Sequence, residues 1–141
     1  MNTSAFLSHA NWLAIGVATI AYFMLGGIWY SKLFRTSWMK SSGVDMSNPE
    51  AKKGAGMLFL MTFVLEFFIC FALSMLAFRM MLAGGFLSGI KLGALTGVCF
   101  AGTVIAISYL YQLKPKALTF IDAGYHLAGN IIAAVIICAW H

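Results

Sequence analysis

Asp122, His126 and Asn130 stand four residues apart in the run Phe120-Ile121-Asp122-Ala123-Gly124-Tyr125-His126-Leu127-Ala128-Gly129-Asn130. On a helix turning about 100° per residue, Thr119, Asp122, His126 and Asn130 fall within an arc of about 80°. A carboxylate, an imidazole and an amide on one face can hold a hydrogen-bond network, pass a proton or bind a polar solute. Facing lipid would be costly, so the stripe is expected to face protein, a cavity or a partner. Glu66 adds a second acidic group, flanked by Leu65, Phe67 and Phe68. A charged side chain at the bilayer centre costs about 2.5–3.5 kcal/mol on insertion scales, so Glu66 is either protonated or partnered. Counting from the helix ends puts Glu66 and His126 at similar depth, which makes His126 the expected partner and Asn130 the next. Lys91 lies too near the other end.

Three uses of Glu66, Asp122, His126 and Asn130 stay open. They are a satisfied structural network, a proton- or ion-coupled translocation site, and a catalytic or metal site. The last is the weakest, because one His with no HExxH motif and no paired-His spacing is a poor metal set. No phosphate loop or nucleophile elbow is present, and no catalytic residue, metal or cofactor is assigned. Asp122 has a milder reading as a helix-dipole partner in the first turns, within reach of headgroup water, Lys114 or Lys116.

These residues need membrane helices to position them. Of 141 residues, 62% are hydrophobic and 9% are charged, with a mean hydropathy of +0.90. Soluble domains carry about 25% charged residues. Four runs are long enough to cross about 30 Å of hydrocarbon, at about residues 11–34, 56–78, 89–112 and 117–140. None alternates with period two, so all are helices. The expected fold is a compact, all-α bundle of four transmembrane helices, one domain over residues 1–141, with both termini on one side. Short links at Arg79–Ser88, which holds Gly84-Gly85, and at Leu113–Lys116 make consecutive helices antiparallel neighbours. Asn48, Pro49 and Glu50 read as a helix start, so the second helix is expected to begin near Pro49.

The net charge of +5 is no nucleic-acid signal, since the basic residues lie in connections and at helix ends. Lys32, Arg35, Lys40, Lys52, Lys53, Lys114 and Lys116 flank loops one and three, against Arg79 and Lys91 opposite. That bias puts loops one and three in the cytoplasm and both termini outside. Met1 to Asn11 has no Lys or Arg, so the first hydrophobic segment is expected to be retained. Trp12, Trp29, Tyr30, Trp38 and Trp140 suit interface depth. Cys70, Cys99 and Cys138 form no CxxC pair and read as small buried hydrophobes.

Each span carries a small or polar line. The first has Asn11, Thr19, Tyr22, Gly26, Trp29 and Tyr30, and the second Thr62, Glu66, Cys70 and Ser74. In the third, Gly89, Gly93, Gly97 and Ala101 step by four, which lets backbones approach closely. That line either packs within the bundle or lines a homodimer interface, and a homo-oligomer is expected because four helices enclose little interior. The third span and the Arg35–Ala55 loop are also the surfaces that a non-catalytic scaffold would use toward an unidentified membrane partner.

Asn11-Trp12-Leu13-Ala14, Gly26-Gly27-Ile28-Trp29-Tyr30-Ser31 with Trp38-Met39, and Ile121-Asp122-Ala123-Gly124-Tyr125-His126-Leu127 with Trp140 together resemble the bacterial domain of unknown function 1761 family. The resemblance spans nearly the whole chain. It implies a small four-helix inner-membrane protein without an assigned activity. It also directs attention to Trp29, Tyr30, Tyr125 and His126 as a shared site. The functional expectation is a small-solute or proton-coupled transporter or channel-like subunit, with a scaffold as the alternative. An intramembrane enzyme acting on a lipid or through a metal is the remaining one.

Overall fold

The computed structural model describes residues 3–82 and 85–140. Gly84 of the second connection lies outside the described residues. A short helix α1, Thr3–His9, precedes the spans. Its Phe6 is 1% exposed and meets Phe71 and Phe78 edge-on. Sequence reading gave no element here, because seven residues carry too little periodicity to register.

The first span is α2, Trp12–Ile28, continued by a π-turn over Trp29–Leu33. Asn11 caps it, accepting from the Ala14 amide at 3.0 Å. The polar connection that follows contains helix α3, Arg35–Ser42, which stops at Gly43 with φ +76°. The second span does not begin at Pro49. Asn48 does cap there, accepting from the Glu50 amide at 3.0 Å, but only one 3₁₀ turn, Pro49–Lys52, results. Lys53 is extended and Gly54 is left-handed at φ +80°, so the chain turns before α4, Ala55–Arg79, begins. A residue with that φ cannot continue a right-handed helix.

The third span starts at Gly85, four residues before the expected Gly89. It comprises α5, Gly85–Thr96, a π-turn over Gly97–Gly102, and α6, Thr103–Tyr111. The fourth is α7, Lys116–Ala139. Trp12–Leu33, Ala55–Arg79, Gly85–Tyr111 and Lys116–Ala139 are each long and apolar enough to cross a membrane. Leu58, Leu60, Met61, Leu65 and Phe68 of α4 are exposed, as a lipid-facing surface requires. The fold is an all-α bundle of four transmembrane helices, and the chain is a multi-pass membrane protein. The Asn11 amide donates to the Trp140 carbonyl at 3.1 Å, which ties the start of the first span to the end of the fourth and puts both ends on one side.

The bundle is organised around α7, which packs against α2, α4 and α5 with its π-turn. The glycine line explains its closest contact. A Cβ at Gly89 would strike the Val135 backbone, one at Gly93 the Ile131 backbone, and one at Gly97 would lie 2.8 Å from Leu127 Cα. These three glycines therefore face α7, and a homodimer or scaffold surface made of them is closed by the chain's own fourth span. The consecutive α4 and α5 scarcely touch. The small residues of the third span are turned to α7, and bulky Ile69, Leu73, Leu76 and Phe100 border an open seam of about 290 Å³.

Candidate functional site

The two π-turns and three glycines of the inner faces set the site. A π-turn carries one extra residue per turn and rotates the following side chains, and such turns often lie at functional sites. In α2 this re-aims Trp29 and Tyr30. The Trp29 indole donates to the Ile121 carbonyl at 3.1 Å. The Tyr30 hydroxyl donates to Asp122 Oδ1 at 2.8 Å. From α6, the Tyr109 hydroxyl donates to Asp122 Oδ2 at 2.7 Å. Asp122 is thus held by two tyrosines and not by Lys114 or Lys116. Tyr109 was missed in the sequence, where nothing but an amphipathic ring near a helix end marked it.

Glu66 is 2% exposed. Its Oε1 accepts from the Tyr125 hydroxyl, while Oε2 is buried without a hydrogen-bond partner among the described residues. His126 does not reach it. Adjacent residues on a helix diverge by about 100°, so Tyr125 and His126 cannot both point at α4. Tyr22 enters from α2 and occupies the imidazole: its hydroxyl lies 2.8 Å from His126 Nδ1, with the proton's side set by the tautomer. The Asn130 amide donates to the Tyr22 hydroxyl at 3.1 Å and to the His126 carbonyl at 2.7 Å. Thr96 of α5 donates to Asn130 Oδ1 at 3.1 Å. The expected set is therefore split into three linked parts: Glu66 with Tyr125, His126 with Tyr22 and Asn130, and Asp122 with Tyr30 and Tyr109.

Glycines make room for these rings. A Cβ on Gly26 would lie 2.9 Å from the Tyr125 hydroxyl, one on Gly124 would lie 3.3 Å from Trp29 Cζ2, and one on Gly129 would overlap the Tyr22 ring. Tyr125 also stands edge-on to Tyr22 and Tyr30, with centroids 5.5 and 5.3 Å away. The Gly26–Tyr30 and Asp122–Asn130 stretches are thus two halves of one contact.

Two spaces open onto this cluster. An outer groove of about 770 Å³ lies between α4 and α6 under the Arg35–Gly54 connection, and Asp122, His126, Tyr109, Trp38 and Lys52 border it. An inner cavity of about 350 Å³ is bordered by Phe23, Gly26, Gly27, Ser31, Glu66 and Tyr125. Tyr30, Met46, Phe59 and Thr62 line both, so the two spaces adjoin. Among the described residues no three His, Cys, Asp or Glu side chains converge as metal ligands.

The fold and site define an all-α, multi-pass membrane protein whose polar groups meet on its central helix. The chain matches the family model described as "Protein of unknown function (DUF1761)" over residues 13–138, and it belongs to that family. No curated protein and no solved structure matches it.

Proposed function

We propose that the protein is a small-solute or proton-coupled transporter or channel-like subunit, formed by one domain in the bacterial inner membrane. One observation carries this reading. Glu66 sits at mid-span with a buried carboxyl oxygen that has no partner among the described residues, and it lines a cavity that adjoins a wider groove. A purely structural carboxyl at that depth would have both oxygens satisfied, because an unmet buried acceptor costs about 1–3 kcal/mol. The titratable groups around Glu66 are Tyr125 on α7, Tyr22 on α2 and Cys70 one turn along α4. Tyr30, Tyr109 and His126 surround Asp122. None of these is a lysine or arginine that would neutralise Glu66 permanently.

The Lys and Arg bias puts loops one and three in the cytoplasm, so the outer groove opens inward and both termini lie outside. Homo-oligomerisation is part of the proposal, with the seam between α4 and α5 as its place. No catalytic residue or cofactor is assigned. The test is proton flux in vesicles containing purified protein. Wild type is expected to dissipate a pH gradient faster than empty vesicles, and Glu66→Gln is expected to lose that flux while eluting as folded protein in detergent. Flux equal to that of empty vesicles, or undiminished in Glu66→Gln, would overturn the reading.

A further inference from the structure

The inner cavity has a one-sided chemistry. Among the described residues, the side chains that line it include a single carboxyl group, Glu66, and no lysine, arginine or histidine. Lys52 and His126 border the outer groove instead. Four aromatic rings, Phe23, Tyr30, Phe59 and Tyr125, stand around the inner space. Phe23 meets Phe59 edge-on at 6.2 Å, and Tyr30 meets Tyr125 edge-on at 5.3 Å. Ring faces attract cations within about 6 Å of their centroids, most strongly in a desolvated site. Met46 and the open side of Gly27, which has no atom within 4 Å of an added Cβ, add apolar wall, and Ser31 and Thr62 contribute the remaining polar side chains.

We propose that this cavity binds a small organic cation, a substituted ammonium whose charge meets the Glu66 carboxyl once its buried Oε2 turns into the space, and whose apolar groups meet the aromatic rings. Ca²⁺ or Mg²⁺ fits poorly, because each takes six or more oxygen ligands and the wall is mostly carbon. An anion fits worse, since Glu66 would repel it with no basic group to compensate. A neutral apolar solute would leave Glu66 Oε2 unmet. The ring-and-carboxylate arrangement answers both the unpartnered oxygen and the aromatic lining. The inference rests on the transport reading and names its solute class. The volume of about 350 Å³ matches the lower end of ligand pockets, about 300–1,000 Å³.

The test is calorimetric binding of benzyltrimethylammonium to detergent-purified full-length protein, beside its uncharged carbon isostere neopentylbenzene. The expected result is saturable binding of the cation, at least tenfold tighter than that of the isostere. Glu66→Gln keeps an acceptor for Tyr125 and should weaken the cation at least tenfold without changing helix content. Gly27→Leu fills the cavity from its open side and should block binding while leaving the Tyr125–Glu66 bond in place. Equal affinity for the isostere, or cation binding unchanged in both variants, would overturn the solute class. So would the absence of benzyltrimethylammonium binding to wild type. The proton flux of Glu66→Gln vesicles tests transport independently of all three results.

Discussion

Gly129→Ala should be the most damaging single-methyl change in the fourth span. The added Cβ would overlap Cε2, Cζ and Cδ2 of the Tyr22 ring. Tyr22 cannot step aside, because it is fully buried and its hydroxyl is fixed by His126 and Asn130. Overpacking a closed core costs about 1–3 kcal/mol. Disturbing two interhelical hydrogen bonds adds about 0.6 kcal/mol each in membrane bundles. The control is Gly16→Ala in α2, whose Cβ meets nothing within 4 Å. Alanine's better helix propensity applies to both variants and cancels in the comparison. The two should therefore differ by about 2–4 kcal/mol, or roughly 30- to 700-fold in the unfolding equilibrium. Unfolding by dodecyl sulfate in mixed micelles, followed by helix circular dichroism, reads the difference. If Gly129→Ala is as stable as Gly16→Ala, then Tyr22 does not occupy the hollow beside Gly129 and the described network is wrong.

Tyr125→Phe should lower stability by about 0.6–1.7 kcal/mol, since it removes the described hydrogen bond of Glu66. A double-mutant cycle with Glu66→Leu, which removes the acceptor, should show coupling, and simple additivity would contradict that bond. Gly93→Leu should abolish the folded protomer itself at every protein concentration in size-exclusion runs, because its side chain would enter the Ile131 backbone. A well-folded but dissociated protomer would instead point to an interface between copies. In the exposed loop, the Ser47 hydroxyl and amide hold the Asp45 carboxyl below its usual range. That turn is therefore fully supported above the ordinary aspartate range and loosens as pH falls through the lowered value. Amide exchange at Ser47 should rise with acidification, and a flat profile would refute the contact.

The spans and the polar stripe of α7 were legible because hydropathy and a period of 3.6 act locally. The glycine step from Gly89 to Gly97 also announced a close helix contact, although which helix it met was not written in it. What the sequence did not carry was rotation. Whether Glu66 meets Tyr125 or His126 depends on an angle of about 100° between neighbours, and depth counting does not resolve it. The π-turn at Trp29–Leu33 is likewise a tertiary accommodation. It delivers Tyr30 to Asp122, and no residue type demands it. Gly26 stood in the small or polar line of the first span, and Gly124 and Gly129 stood beside the stripe of the fourth, but nothing in the sequence marked them as receptors for rings on other helices. Helix α3 was hidden inside a polar connection, and Gly54 ended the Pro49 turn through a backbone angle that glycine permits but does not signal.

Transport through this bundle requires Glu66 to be a reachable intramembrane carboxyl and not a sealed structural one. Dicyclohexylcarbodiimide, which enters apolar sites and reacts with protonated carboxyl groups, tests this directly by mass spectrometry of digested protein. Modification is expected at Glu66, lost in Glu66→Gln and slowed by Gly27→Leu in the cavity wall. Failure of the reagent to modify Glu66 in folded protein, with labelling appearing only after unfolding, would show the carboxyl to be sealed and contradict the transport reading.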